Sequence, residues 1–195
     1  MAEGEGNDSA DVRRLAIDLE ALTLAMESQS GEVDWYLDLE TGDLVMVTSE
    51  ARSLLEDAYE GLGDRDGVTR ADLAAALERS GGPEWQREFA IQVDEVERGD
   101  GVRFVPVPPT ESWRGYADME EFIATLDDEV LRERLSDAIR GRGAFGRFKD
   151  VLSRSGEMLD VWYAFKNARE RARALRWLES EGIEATPRRA GGSPA

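Results

Sequence analysis

The chain contains no cysteine and no histidine, and only two of its 24 basic residues are lysine, Lys149 and Lys166. Without those two residue types there is no structural zinc site, no haem ligation, no disulfide and no nucleophile activated by histidine. A metal here would be a hard cation held by oxygen atoms, such as magnesium, calcium or manganese. No spacing in the sequence assigns one, so neither a metal site nor a cofactor is expected. No apolar run approaches the roughly 20 residues of a membrane span. Residues Met1 to Asp11 are Gly-, Glu- and Asp-rich, unlike the basic start and apolar run of a signal peptide, so a cytoplasmic location and no membrane contact are expected.

What the chain does have is acid. Among 195 residues, 42 are Asp or Glu, giving a formal net charge of −18. The distribution is uneven: residues 1–131 sum to −23 and residues 132–195 to +5. Such asymmetry favours docking of the two parts on each other, or steering of an anion to the C-terminal part. The hydrophobic content of 41% is ordinary for a globular protein.

Residues 1–9 and 185–195 have no periodicity and read as disordered ends, leaving a single domain over 10–184. Leu15, Leu19, Leu22 and Met26 recur at helical spacing, with Ser9 or Asp18 as the cap. Val33, Trp35, Leu37 and Leu39 alternate with polar residues, the break Glu40-Thr41-Gly42-Asp43 follows, and Leu44 to Val47 is apolar again, which reads as a β-hairpin. A helix follows from Glu50. Thr69 with Asp72 reads as a capping box, and Trp85, Phe89, Val93 and Val96 form one helical stripe. Val102 to Val107 reads as a third strand, ended by Pro108-Pro109. From Tyr116 onward the pattern is helical, ending in a helix over about 157–180 with Leu159, Trp162, Phe165, Ala168, Ala172, Leu175 and Leu178 inward. The expected fold class is α+β, a small antiparallel sheet (hairpin plus third strand) packed with a mainly helical C-terminal half.

Three features invite a chemical reading. Asp64 to Asp72 is similar to the middle of a calcium loop, but placing Gly67 at the sixth loop position puts Leu62 and Leu73 where ligands belong, so a turn and helix cap are expected. Asp34 and Asp38 share a strand face, yet four strand residues span roughly 13 Å, too far for a retaining glycosidase pair. The third feature is the segment from Arg140 to Lys149. Arg140, Arg142, Arg147 and Lys149 surround Gly143 at a predicted helix start, where amides and dipole favour an anion. Lys166, Arg169, Arg173 and Arg176 add a basic helical face. Against nucleic acid stands the net charge of −18. Pairing of these bases with the acidic part of the chain is the competing account.

Several segments carry a family resemblance: Tyr36 to Asp43, Met119 to Ile123, Gly141 to Asp150, Trp162-Tyr163-Ala164-Phe165, and Trp177 to Ile183. In that order, over about residues 12–184, the chain resembles the bacterial uncharacterised protein family numbered 0158 in the UPF series. Residues 61–82 read as an insertion relative to the family pattern. The resemblance implies a protein of the bacterial cytosol and supplies no catalytic residues. The reading that follows is a non-catalytic cytosolic binding or regulatory module whose partner is a protein or a phosphate-bearing ligand. The alternative is a protein acting on a phosphate ligand or nucleic acid through the C-terminal basic Gly/Arg/Phe segment, with or without Mg²⁺. No catalytic motif names an enzyme.

Overall fold

The structure, a computed structural model, describes residues 12–29, 31–63 and 65–188. The single domain expected over 10–184 divides into two compact units, one from the chain up to Pro109 and again from Leu178, the other Thr110–Trp177. Of the expected disordered ends, 1–9 and 185–195, residues 1–9 and 189–195 lie outside the described residues.

In the first unit, β1 (Arg13–Ile17) leads into α1 (Leu19–Glu27). The helical spacing of Leu15 with Leu19 misleads here. Leu15 and Ile17 are buried and their neighbours exposed, a strand alternation. Asp18 decides the boundary: its carboxylate accepts the N–H groups of Glu20 and Ala21, capping α1. The partner of β1 is β5 (Ile183–Pro187), which pairs with it in parallel, Arg13 opposite Ile183 and Ile17 opposite Pro187. The tail expected from 185 therefore supplies three residues of a strand.

The hairpin forms as expected from β2 (Val33–Asp38) and β3 (Leu44–Thr48). Gly42 is required twice over, by its φ of 77° and because a Cβ there would lie 2.6 Å from the Ala16 carbonyl oxygen. Next come α2 (Ser49–Glu60), α3 (Arg70–Ser80), α4 (Glu84–Arg98) and β4 (Phe104–Pro106), which completes an antiparallel sheet of order β3-β2-β4. Val45 and Val47 point to one face, where they meet Leu55, Leu77, Val93 and Phe104. The helices covering this sheet are thus α2, α3 and α4 of its own unit. On the other face, α1 lies against β3. The Thr69–Asp72 capping box is present in both directions, and α3 buries Leu73, Ala76 and Leu77. Within residues 61–82, Leu73, Ala76 and Leu77 belong to the core of the first unit.

The second unit is helical: α5 (Ser112–Ala124), α6 (Glu129–Ala138), α7 (Ala144–Ser153) and most of α8 (Met158–Ser180). Phe122, Phe148 and Trp162 meet edge to face, with ring centroids 4.9 to 6.1 Å apart. The inward line of α8 differs from the apolar stripe: it runs through Trp162, Glu170, Ala174 and Leu178, while Ala168 and Leu175 are exposed. No helix among the described residues is long and apolar enough to cross a membrane.

Candidate functional site

The basic segment between α6 and α7 is a turn closed by its own arginine. Gly143, at φ 77°, is the N-cap of α7. Four residues on, the Arg147 guanidinium turns back and donates from Nε to the Ala138 carbonyl oxygen at 3.0 Å, and from its other nitrogens to the carbonyls of Arg140 and Arg142. The Ala138 carbonyl is the last of α6 and the other two lie in the turn, so Arg147 caps one helix and closes the turn while standing on the next. Arg140 pairs with Asp137 at 3.1 Å on the surface. Arg142 and Lys149 are exposed. The segment therefore gathers five predicted residues in sequence, but Arg147 donates to carbonyls within the turn.

The predicted basic face of α8 is distributed in the same way. Asp118 on α5 is only 2% exposed and accepts from Arg169 Nε at 2.8 Å and from both terminal nitrogens of Arg173, at 3.0 and 2.8 Å. Glu121 takes a second bond from Arg169. Lys166 pairs with Glu170, and Arg176 is exposed. Burial disfavours the Asp118 carboxylate, but the hydrogen bonds and charge of Arg173, then Arg169, outweigh it and hold its pKa below the usual carboxylate range.

Three further carboxylates are also paired. Asp38 is opposed by burial yet held below its ordinary pKa by Arg103 and by the Glu40 N–H. Asp34 pairs with Arg52 at 2.8 Å. Asp94 accepts from the Tyr59 hydroxyl at 2.7 Å and from Arg98 at 2.9 Å. Among the described residues no three carboxylates converge in a way that would hold a metal ion. These groups are charge-neutralised and hydrogen-bonded, an arrangement suited to structure.

An open apolar site lies in the first unit. Trp85 stands in the first turn of α4 and is 54% exposed, meeting Phe89 edge to face at 6.1 Å. Of the stripe Trp85, Phe89, Val93 and Val96, only the two valines are buried. A groove of about 360 Å³ runs between α2, α4 and the end of β3, walled by Met46, Leu54, Trp85 and Phe89 with Glu50 and Asp57 on its rim. A second depression, of about 430 Å³, borders the same two rings beside Glu88, Glu95 and Arg70. On the other face of the sheet, a groove of about 780 Å³ lies along α1, formed by Leu24, Ala25, Trp35 and Leu44 with Asp18 and Asp43 at its margin. Leu24 is 65% exposed there. The Trp35 indole Nε1 is buried with no acceptor among the described residues.

Sequence periodicity missed the two depressions beside Trp85 because it assigned Trp85 to one apolar stripe with the valines. The available signal was position. Gly81-Gly82-Pro83 places Trp85 at the start of a new helix, where a side chain overhangs the end of the core.

The UPF0158 protein PA5073 of Pseudomonas aeruginosa is 25% identical over 177 residues, spanning 91% of this chain and 90% of that protein. No solved structure matches. The model of the uncharacterised protein family UPF0158 matches residues 86–190, from the first turns of α4 past β5, and the chain belongs to that family.

Proposed function

We propose that the protein is a non-catalytic binding module of the bacterial cytoplasm whose first unit docks a segment of a partner protein. One observation carries this reading: Trp85, more than half exposed, stands over an apolar groove rimmed by Glu50 and Asp57, beside a more polar depression that holds Glu88 and the Arg70–Glu95 pair. Exposed aromatic rings set in apolar hollows are the usual anchors of protein interfaces, and a carboxylate rim on a chain of −18 charge selects a basic partner. The contrast with the buried rings of the second unit supports it, because those rings already have partners inside the fold. The anion reading of residues 140–149 draws less support, since the Arg147 donors meet three carbonyls.

The test is selection of short random peptides displayed on phage against the full chain, counter-selected on a Trp85→Ala variant. Enriched peptides should combine Lys or Arg with apolar residues and should lose binding to Trp85→Ala, whose circular dichroism stays native. A library that enriches nothing over the variant overturns the reading.

A further inference from the structure

The three-stranded sheet has two edges, and they are finished differently. At β4 the outward groups are closed. The Phe104 N–H donates to the Gly99 carbonyl and the Phe104 carbonyl accepts from the Gly101 N–H, each at 3.0 Å, while Pro106 has no N–H to offer. At β3 the parity of the ladder sets what faces out. The Asp38 N–H donates to the Asp43 carbonyl and the Ser49 N–H to the Glu32 carbonyl, so the hydrogen-bonded pairs between them are Tyr36 with Val45 and Asp34 with Val47. Leu44 and Met46 therefore turn their backbone N–H and C=O groups away from β2, to a side on which no strand lies among the described residues.

Natural edges are blunted by charge, proline or bulges. Leu44-Val45-Met46-Val47-Thr48 has no charged residue and no proline. Both faces beside this edge are grooved. Trp35 and Leu44 share one face, and the groove of about 780 Å³ along α1 opens there. Val45 and Val47 occupy the other face with α2 and α4, whose groove of about 360 Å³ reaches the edge at Met46 and Thr48. A strand laid outside β3, at the usual spacing of about 4.8 Å, sends its side chains alternately to the two faces, hence alternately toward the two grooves.

We infer that β3 accepts an extended segment of a partner protein as a fourth strand, with main-chain bonds to Leu44 and Met46 and alternate apolar side chains entering the α1 groove and the Trp85 groove. This rests on the docking role of the Trp85 groove and adds the conformation and pattern of the occupant. Main-chain pairing supplies affinity and the flanking hollows supply selectivity, as in other strand-addition sites. Charge selects the occupant. Arg188 pairs with Asp43, which leaves Asp18, Glu50 and Asp57 around the site. A second copy of this chain would bring those carboxylates against their own counterparts, whereas a segment carrying Lys or Arg between its apolar residues neutralises them.

The experiment is an N-methyl scan of the tightest peptide selected on the full chain, read by isothermal titration calorimetry. N-methylation deletes one backbone donor and keeps the side chain. Loss of about tenfold in affinity at every second position, with the intervening positions unaffected, is the expected result. On the protein, Met46→Pro removes an outward N–H and leaves the β2 ladder bonds, and it should weaken the same peptide while Trp85→Ala weakens it independently. Binding that depends on Trp85 but gives a flat scan overturns strand addition and leaves the docking module standing. Absence of any peptide that distinguishes the native chain from Trp85→Ala overturns both. A dimer that forms with rising concentration and is lost in Met46→Pro, seen by analytical ultracentrifugation, overturns the choice of a basic partner over a second copy.

Discussion

The two units contain nearly the same aromatic pair in opposite settings. Phe122 and Phe148 in the second unit, and Trp85 and Phe89 in the first, meet edge to face with centroids 6.1 Å apart. Phe122 and Phe148 are each 1% exposed, and further rings, Trp162 and Phe165, close around Phe122. Around Trp85 the neighbours are two open depressions. Ring geometry alone does not distinguish a core from a docking surface; what distinguishes them is whether the rest of the chain supplies the remaining walls. Both units pair their buried charge internally, through Asp118 in the second and through Asp38 and Asp94 in the first, and the first also sets Glu50 and Asp57 beside its apolar groove.

The sharpest way to break this comparison is truncation. Trp162→Ala should destabilise the protein by about 3–5 kcal/mol, because its cavity is walled by Phe122 and Phe148, which have little room to collapse. Chemical denaturation checks it. Asp118→Ala comes next, at about 3 kcal/mol, since it strands Arg173 without its buried partner; Arg169, partly solvated, keeps the loss at the low end for such networks. Trp85→Ala should change stability by about 1 kcal/mol or less while abolishing peptide binding, because the ring is already in water. A Trp85→Ala variant as unstable as Trp162→Ala would make Trp85 a core residue and erase the contrast between the units.

Acid sharpens the comparison further. The Asp118 pKa is lowered on folding, so its contribution is complete above the ordinary Asp value of about 3.9 and is lost as pH falls through the depressed folded value. The difference in stability between native protein and Asp118→Asn should be constant near neutral pH and shrink below about pH 4. Using the difference cancels the relief of repulsion among the other carboxylates, which acts in the opposite direction. The smallest effect expected is at residues 140–149. Phosphate or sulfate should produce no saturable rise in melting temperature, because Arg147 is occupied by carbonyls. A saturable response lost in Lys149→Ala would restore an anion site to that turn.

Legibility in the sequence followed the range of the interaction. The hairpin and the Thr69–Asp72 box were readable because each is decided within a few residues, by alternation, a glycine of positive φ, or a cap. β1 was not, because what makes Arg13–Ile17 a strand is a partner about 170 residues later. The inward line of α8 was misread for a different reason. Arg173 and Glu170 turn inward where hydrophobic periodicity expects only apolar residues, and nothing local to α8 announces Asp118 as the partner of Arg173. The basic residues of the turn and the helix were visible as a cluster, but their hydrogen-bond partners were not. The grooves were invisible because they are spaces between elements, and the one exposed ring that marks them shares a stripe with buried valines.

The pairing of β1 with β5 bears on how the chain is made. The strand that opens the described fold has no ladder partner until residues 183–187 have been synthesised, and the whole of the second unit is translated in between. A ribosome emits residues at about 5–20 per second, so β1 waits for roughly 10–30 seconds while the helices of Thr110–Trp177, joined by short connections, already have their own neighbours. Domains usually mature from the N-terminus onward; here the interrupted unit is finished last, and during that interval a polypeptide still attached to the ribosome presents an unpaired strand.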